Sequence, residues 1–190
     1  MSELYVVRQK LIGVEHLEVD EREEDEHAKL AYATYGAAVY FANVLEANLI
    51  GVLATAEVVE AREAGQTIPD DPWDRRRQSK KTMGYWLKEV KRDKHLTGKP
   101  ELESNLDRAL DRRNHLAHHF WHDRIEDVFS SAGRNKLINE LEGDRGMFDK
   151  TNQNLTTMVL DPLIRKAGVS PEQEAAVYDL MLRQAEARDG

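Results

Sequence analysis

The feature that most restricts the fold is a long apolar stretch, residues 28–59, which is rich in Ala, Leu, Val, Tyr and Phe. The stretch is long enough to cross a bilayer, but charged and amide residues interrupt it, among them Glu46 and Glu57. Because polar residues recur through its second half, we expect the central buried helix of a soluble bundle. Acidic residues suit its N-terminus and Gly65 suits its end, so the predicted helix covers about residues 22–64.

The rest of the 190-residue chain has the pattern of shorter helices separated by turn residues. The predicted features in chain order are a loop at 65–72, a helix cap at Ser79, a first-turn proline at Pro100, a break at 130–133, kinks at Gly143, Gly146 and Pro162, and a last helix from Pro171 to near Ala187. The sequence predicts one all-α domain over residues 1–190, an up-and-down bundle of about five helices. Residues 1–21 are expected to form a mobile or peripheral N-terminal segment.

Composition limits the environment and the partners of the protein. The absence of cysteine excludes disulfides and thiolate metal sites, which suits a reducing compartment. The first ten residues lack the apolar core of a secretory signal, so we expect a cytoplasmic protein without a membrane partner. A net charge of −8 argues against a general nucleic-acid coat protein, because affinity for phosphates depends on neutralising them.

One segment departs from this acidic character. Residues 75–95 hold nine Lys or Arg against two acids. The segment is either a solvated helix and loop surface or a landing site for an RNA backbone, with Tyr85 and Trp86 mostly in the core. The predicted RNA-binding residues are Arg75, Arg76, Arg77, Lys80, Lys81, Lys88, Lys91 and Arg92.

A second helical pattern, residues 102–121, carries an arginine where a core residue belongs. Its apolar residues fall on one face at about 100° per residue, and Arg113 projects from the middle of that face. The predicted stripe consists of Leu102, Leu106, Ala109, Leu110, Ala117, Phe120 and Trp121. Burying an unpaired charge is very costly, so Arg113 either pairs internally or lines a cleft for an anion.

The polar residues of the same helix are expected on two different faces, according to their angular position around the helix axis. Asn114 and His118 are four residues apart, so they are expected on one flank of the stripe beside Arg113, partly open to solvent. His115, His119 and His122 are expected on the opposite, outward face.

The run Arg113-Asn114-His115-Leu116-Ala117-His118 resembles the signature of HEPN domains, an arginine followed after four to six residues by a histidine, with asparagine favoured after the arginine. HEPN domains are small all-α bundles found in toxin–antitoxin, phage-defence and CRISPR-associated ribonucleases. The resemblance covers six residues and implies a metal-independent endoribonuclease, a toxin or defence effector without a cofactor. It implies Arg113, Asn114 and His118 as catalytic residues. It also implies a homodimer in which two motifs meet, and an antitoxin or regulatory protein as a further partner.

RNA cleavage requires the chemistry that these residue types supply. Histidine titrates near neutrality, so His118 can take the proton of the attacking 2′-hydroxyl or protonate the departing 5′-oxygen. Arg113 can stabilise the charge on the phosphorane with two parallel hydrogen bonds, and Asn114 would orient the histidine or the phosphate.

Two alternatives remain open. Arg113 can be a structural residue that pairs with Glu46, which lies near the inward face of the long helix, and Glu46 can also hold Arg113 in place for phosphate. The protein would then be a non-catalytic HEPN-like module that binds RNA, a nucleotide or a protein. The second alternative is metal binding by His115 with His119, or by His118 with His122 and Asp123. We expect no native metal site, because three of these histidines are predicted to face outward.

Overall fold

The computed structural model describes residues 21–170, with side chains described from residue 26. The described chain is helical and contains no strand, which confirms the predicted all-α fold. The helices are α1 (Glu21–Glu63), α2 (Pro72–Arg77), α3 (Met83–Arg92), α4 (Pro100–His118), α5 (Phe120–Arg124), α6 (Ser131–Leu155) and α7 (Asp161–Lys166), with a 3₁₀ turn at Asp127–Phe129 and a π-helical turn at Thr156–Leu160. The predicted N-terminal segment, up to residue 20, and the predicted last helix from Pro171 lie outside the described residues.

Helix α1 is the centre of the bundle and packs along its length against α6. Ala38, Leu45 and Leu49 are buried on α1 and meet the buried apolar residues of α3, α4 and α6. By length and composition alone α1 could also cross a membrane, and half of its most apolar window is buried inside the bundle. The predicted bounds, 22–64, match Glu21–Glu63 within one residue at each end.

The polar residues of α1 are used in packing. The amide of Asn48 donates to Asn152 Oδ1 at 2.7 Å and to Thr156 Oγ1 at 3.2 Å. Glu57 binds the guanidinium groups of two arginines on α2. These contacts join α1 to its neighbours, which explains why polar residues recur in an otherwise apolar helix.

The helix boundaries follow local chemistry, with two corrections. Pro100 opens α4, as predicted. The predicted break at 130–133 is confined to Ser130, which caps α6 by accepting from the Gly133 amide at 3.0 Å, because α6 already begins at Ser131. The prediction for Ser79 was wrong, because α3 begins at Met83 after Thr82, and the Ser79 hydroxyl is buried with no hydrogen-bond partner among the described residues.

The predicted kinks at Gly143 and Gly146 are absent, since α6 is continuous through both residues. The helix changes instead to a π-helical turn at Thr156–Leu160, directly before α7. Pro162 lies in the first turn of α7 and has no N–H to continue the α-helical hydrogen bonds. The distortion therefore lies just before the proline.

Candidate functional site

Arg113 lies between α4 and α1. Its Nη2 is 3.7 Å from Glu46 Oε2, and its Nη1 donates to Asn114 Oδ1 at 3.4 Å. The Arg113 side chain keeps 25 % of its surface exposed. The structure therefore brings together the arginine and the acid that the sequence paired, and it leaves the guanidinium accessible.

The ion pair of Arg113 with Glu46 is long, and its acid is mostly buried. Burial raises the pKa of Glu46, and the attraction of Arg113 lowers it by less than burial raises it. The distance of 3.7 Å between Arg113 and Glu46 is beyond hydrogen-bond range, so this acid takes none of the N–H groups of the guanidinium by a hydrogen bond. Arg113 thus retains the capacity to bind another anion.

Arg113 also forms part of a cavity of about 190 Å³ between α1 and α4. We call this cavity the Arg113 groove. Its lining residues are Tyr35, Val39, Ala42, Asn43, Arg113, Leu116 and Ala117. The Tyr35 hydroxyl donates to the Leu116 carbonyl at 3.0 Å, which holds α1 and α4 together at one end of the groove. The sequence left two alternatives for Arg113, an internal ion pair or a position in a cleft. The structure shows both, because Arg113 lies beside Glu46 and also lines the groove.

The other two predicted catalytic residues are at the surface. Asn114 and His118 are exposed, on the flank of α4 where the sequence placed them. Nothing in the described residues holds the His118 ring by a hydrogen bond or ion pair. His118 is accessible to a substrate or to a second copy of the chain.

The prediction that His115 faces outward was wrong. Its ring packs edge-on against Phe120 with centroids 6.1 Å apart, and its Nδ1 is 3.9 Å from Asp123 Oδ2. Its Nε2 is buried, with no hydrogen-bond partner among the described residues. Because α4 ends at His118 and the chain turns at His119, Phe120 and Asp123 fold over His115.

His119 and His122 are exposed, as predicted. The Nδ1 of His122 lies 3.2 Å from Asp123 Oδ1, and this contact lowers the pKa of Asp123. Within residues 21–170 the structure places no three histidine or carboxylate side chains together as a metal site.

The buried face of α4 differs from the predicted apolar stripe near its C-terminus. Ala117 is exposed, whereas Leu116, which the sequence analysis did not include, is buried. Leu106, Ala109, Arg113, Leu116 and Phe120 are spaced alternately by three and four residues, and all but Arg113 are buried. This alternation is visible in the sequence and indicates that Leu116 is buried. It also shows that Arg113 occupies a core position of α4.

Arg112, a residue that the sequence pattern did not indicate, bridges α4 and α6. Its Nε and Nη2 donate to the two carboxylate oxygens of Asp144 at 2.7 Å each, and Nη2 also donates to Glu140 at 2.6 Å. Arg124 donates to the other oxygen of Glu140 at 3.1 Å. Burial alone would raise the pKa of Glu140, but the hydrogen bonds from Arg124 and Arg112 outweigh it and lower the pKa. Arg112 and the neighbouring Arg113 of the motif therefore face different helices.

Most of the predicted RNA-binding cations are already paired with acids. Arg75 and Arg76 both contact Glu57, at 2.5 and 2.6 Å. Lys91 contacts Asp107 at 2.7 Å and Glu103 at 3.2 Å. The remaining pairs are Arg77 with Asp74, and Arg92 with Glu89 and Asp93. Five of the eight cations thus stabilise contacts within the bundle.

Three members of that set have no ion pair with the described residues. Lys80, Lys81 and Lys88 are exposed, and Lys81 Nζ lies 4.7 Å from the centroid of the Tyr85 ring. Trp86 is buried and Tyr85 is exposed, so only one of the two aromatic residues belongs to the core. The basic surface is therefore smaller than the sequence predicted.

Comparison with models of protein families, with curated proteins and with solved structures found no match to this chain. A functional interpretation therefore depends on the geometry of Arg113, Asn114 and His118 and on the resemblance of their motif to HEPN domains.

Proposed function

We propose that the protein is a metal-independent endoribonuclease of the HEPN type that acts as a homodimer. The observation that carries the proposal is the state of Arg113. The arginine occupies a core position of α4 yet remains partly exposed at the Arg113 groove, where its one ion pair with the described part of the chain is a long contact to Glu46. Asn114 and His118 are exposed on the same helix, so the motif presents an arginine, an amide and a histidine to solvent.

The reaction would be a transfer of the phosphodiester within the RNA. The 2′-oxygen loses its proton and attacks the adjacent phosphorus, the bond to the 5′-oxygen breaks, and the 5′-oxygen gains a proton. A cyclic 2′,3′-phosphate and a 5′-hydroxyl result, so atoms and charge balance without a metal ion. His118 would move these protons, and Arg113 would stabilise the phosphorane.

One chain supplies a single arginine and a single histidine of the motif, whereas the reaction needs a base, an acid and charge stabilisation. Two copies related by a two-fold axis would place two of each around one phosphate. The exposed flank of α4 that bears Asn114 and His118 would then lie at the interface. Lys80, Lys81 and Lys88 would contact the RNA backbone beyond the site.

The biological role that we propose is that of a toxin or phage-defence effector in the cytoplasm, regulated by an antitoxin or another protein. The support for this role is the resemblance of the motif. The enzymatic proposal can be tested without it, because the purified chain and RNA are sufficient.

The experiment is an RNA cleavage assay in EDTA with analysis of the product ends. We expect cleavage that leaves 2′,3′-cyclic phosphates, and we expect His118→Ala to abolish it. His119→Ala is the matched control, because His119 is an exposed neighbour outside the motif. Loss of all cleavage in EDTA, equal loss in both variants, or a strict monomer at micromolar concentration in sedimentation would reject the proposal.

A second candidate function is a non-catalytic HEPN-like module that binds RNA, a nucleotide or a protein. The observation that favours it is the contact of Arg113 with Glu46 at 3.7 Å, since an arginine in an ion pair can serve the fold alone. In this case RNA remains intact and His118→Ala leaves RNA binding unchanged.

A further inference from the structure

The Arg113 groove has a part that the phosphate chemistry does not use. Arg113 forms one wall, while Val39, Ala42, Leu116 and Ala117 provide an apolar floor and sides. A phosphate would contact the guanidinium and gain nothing from these apolar side chains. The groove is therefore suited to a ligand with a charged part at Arg113 and a flat or apolar part next to it.

The size of the groove limits that second part. An apolar cavity of about 150 Å³ accommodates benzene. The Arg113 groove, at about 190 Å³, accommodates one six-membered ring with its substituents and is small for two fused rings. Among the nucleobases, this favours a pyrimidine over a purine.

The polar groups of the groove suit the edge of such a ring. Asn43 is exposed at the groove, and its side chain offers an acceptor oxygen and a donor NH₂ side by side. The Watson–Crick edge of uracil or cytosine presents donors and acceptors in the same alternation.

Tyr35 provides a fixed aromatic wall. Its hydroxyl is held by the Leu116 carbonyl, and its ring contacts Phe120 and Trp121 with centroids 5.6 and 4.9 Å away. A ring that is already fixed loses little freedom when a base packs against it.

We propose that the Arg113 groove is a base-binding subsite that takes a pyrimidine of the RNA next to the phosphate held by Arg113. A base is joined to its phosphate through one sugar, so a phosphate at Arg113 brings the base over the groove. The inference rests on the proposed function for its ligand class. It adds a preference for uridine or cytidine beside the cleaved bond.

The test measures binding of uridine 3′-monophosphate and adenosine 3′-monophosphate by calorimetry or by NMR titration. The two probes carry the same phosphate, so a difference between them reports the base. We expect the uridine nucleotide to bind wild type at least five-fold more tightly, and we expect Ala117→Leu to remove this preference by filling the groove. Ala132→Leu is the control, because Ala132 is also exposed and lies in the first turn of α6.

A second pair of variants covers the case in which Ala117→Leu fails to fold. Asn43→Ala should weaken binding of the uridine nucleotide about ten-fold, and Asn139→Ala, an exposed asparagine of α6, should not. Equal binding of the two nucleotides to wild type would overturn the inference. So would an unchanged preference in the groove variants, or a change of oligomeric state in Ala117→Leu without nucleotide, which would show a second copy in the groove.

Binding and cleavage separate the two proposals. A uridine preference that the groove variants remove, in a protein that leaves RNA intact, supports the base subsite and rejects the ribonuclease. Metal-independent cleavage with no base preference and equal nucleotide binding supports the ribonuclease and rejects the base subsite.

Discussion

Arg112 and Arg113 are adjacent in the chain, but their environments differ. Arg112 faces α6 and makes three short hydrogen bonds to the carboxylates of Asp144 and Glu140. Arg113 faces α1 and, within residues 26–170, has a single carboxylate partner, Glu46, at 3.7 Å. The side chains are about equally exposed, 21 % and 25 %, so burial does not separate them.

The difference lies in how completely each charge is compensated. The acids around Arg112 form hydrogen bonds in the geometry that makes arginine–carboxylate pairs strong. The acid beside Arg113 loses more by burial than it gains from the arginine, so its pKa rises. A fully satisfied arginine serves the fold, and a partly satisfied arginine at a groove can bind a ligand.

The largest effect is expected from Arg112→Ala on stability. The change leaves Asp144 without its arginine and removes one of the two arginines at Glu140. Removing one partner of a buried pair costs about 3–5 kcal/mol, and we expect about 3 kcal/mol because Arg112 is partly exposed. Urea unfolding followed by circular dichroism measures the free energy.

The matched control for this change is Arg108→Ala. Arg108 is one turn earlier on α4, is exposed, and contacts only Asn105, at 3.2 Å, among the described residues. We expect a change within about 0.5 kcal/mol. If Arg112→Ala lowers the free energy of unfolding by less than about 1 kcal/mol, the contacts of Arg112 with Asp144 and Glu140 do not stabilise the packing of α4 against α6.

The next effect is expected from Arg113→Ala on cleavage. Removing one preorganised donor to a developing oxyanion lowers the rate about 10²–10³-fold, equivalent to about 2.7–4 kcal/mol. Stability should fall by no more than about 1 kcal/mol, because the lost ion pair is long and its acid is only weakly compensated. The assay compares single-turnover RNA cleavage with urea unfolding for the same preparation. A large loss of stability with unchanged cleavage would make Arg113 a structural residue.

The sequence predicted the fold and the Arg113–Glu46 contact because both depend on regular helical periodicity. Each residue lies on the inward face of a long helix, so projection along the helix was sufficient. The prediction for His115 was wrong because α4 ends at His118, no glycine or proline marks that end, and Phe120 and Asp123 fold back over the ring. Projection beyond a helix end carries no information about the packing of the next segment.

The contacts of Arg112 and of the cations in residues 75–95 could not be predicted from the sequence for a different reason. Asp144 and Glu140 lie 32 and 28 residues after Arg112, and Glu57 lies 18 residues before Arg75. Their meeting depends on how separate helices pack, which local periodicity does not specify. The sequence therefore identified a basic segment but not the acids from α1 and α4 that neutralise much of it.

The smallest effect, and the sharpest comparison, is the pH dependence of Glu46→Gln and Glu140→Gln. The pKa of Glu140 is lowered in the folded state, so its charge contributes stability above about pH 4.5, the ordinary value. That contribution is lost as the pH falls through the folded pKa. The pKa of Glu46 is raised, so its folded state binds more protons, and wild type loses stability relative to Glu46→Gln as the pH rises above about 4.5.

The two glutamines should thus give opposite slopes when the unfolding free energy is compared with that of wild type between pH 3 and 7. The advantage of wild type over Glu140→Gln should grow with pH, whereas its stability relative to Glu46→Gln should fall. For Glu46 we expect a change below about 1 kcal/mol, since its ion pair is long and partly exposed. Slopes of the same sign would contradict the opposite pKa shifts of Glu46 and Glu140 and with them the difference between the two arginine environments.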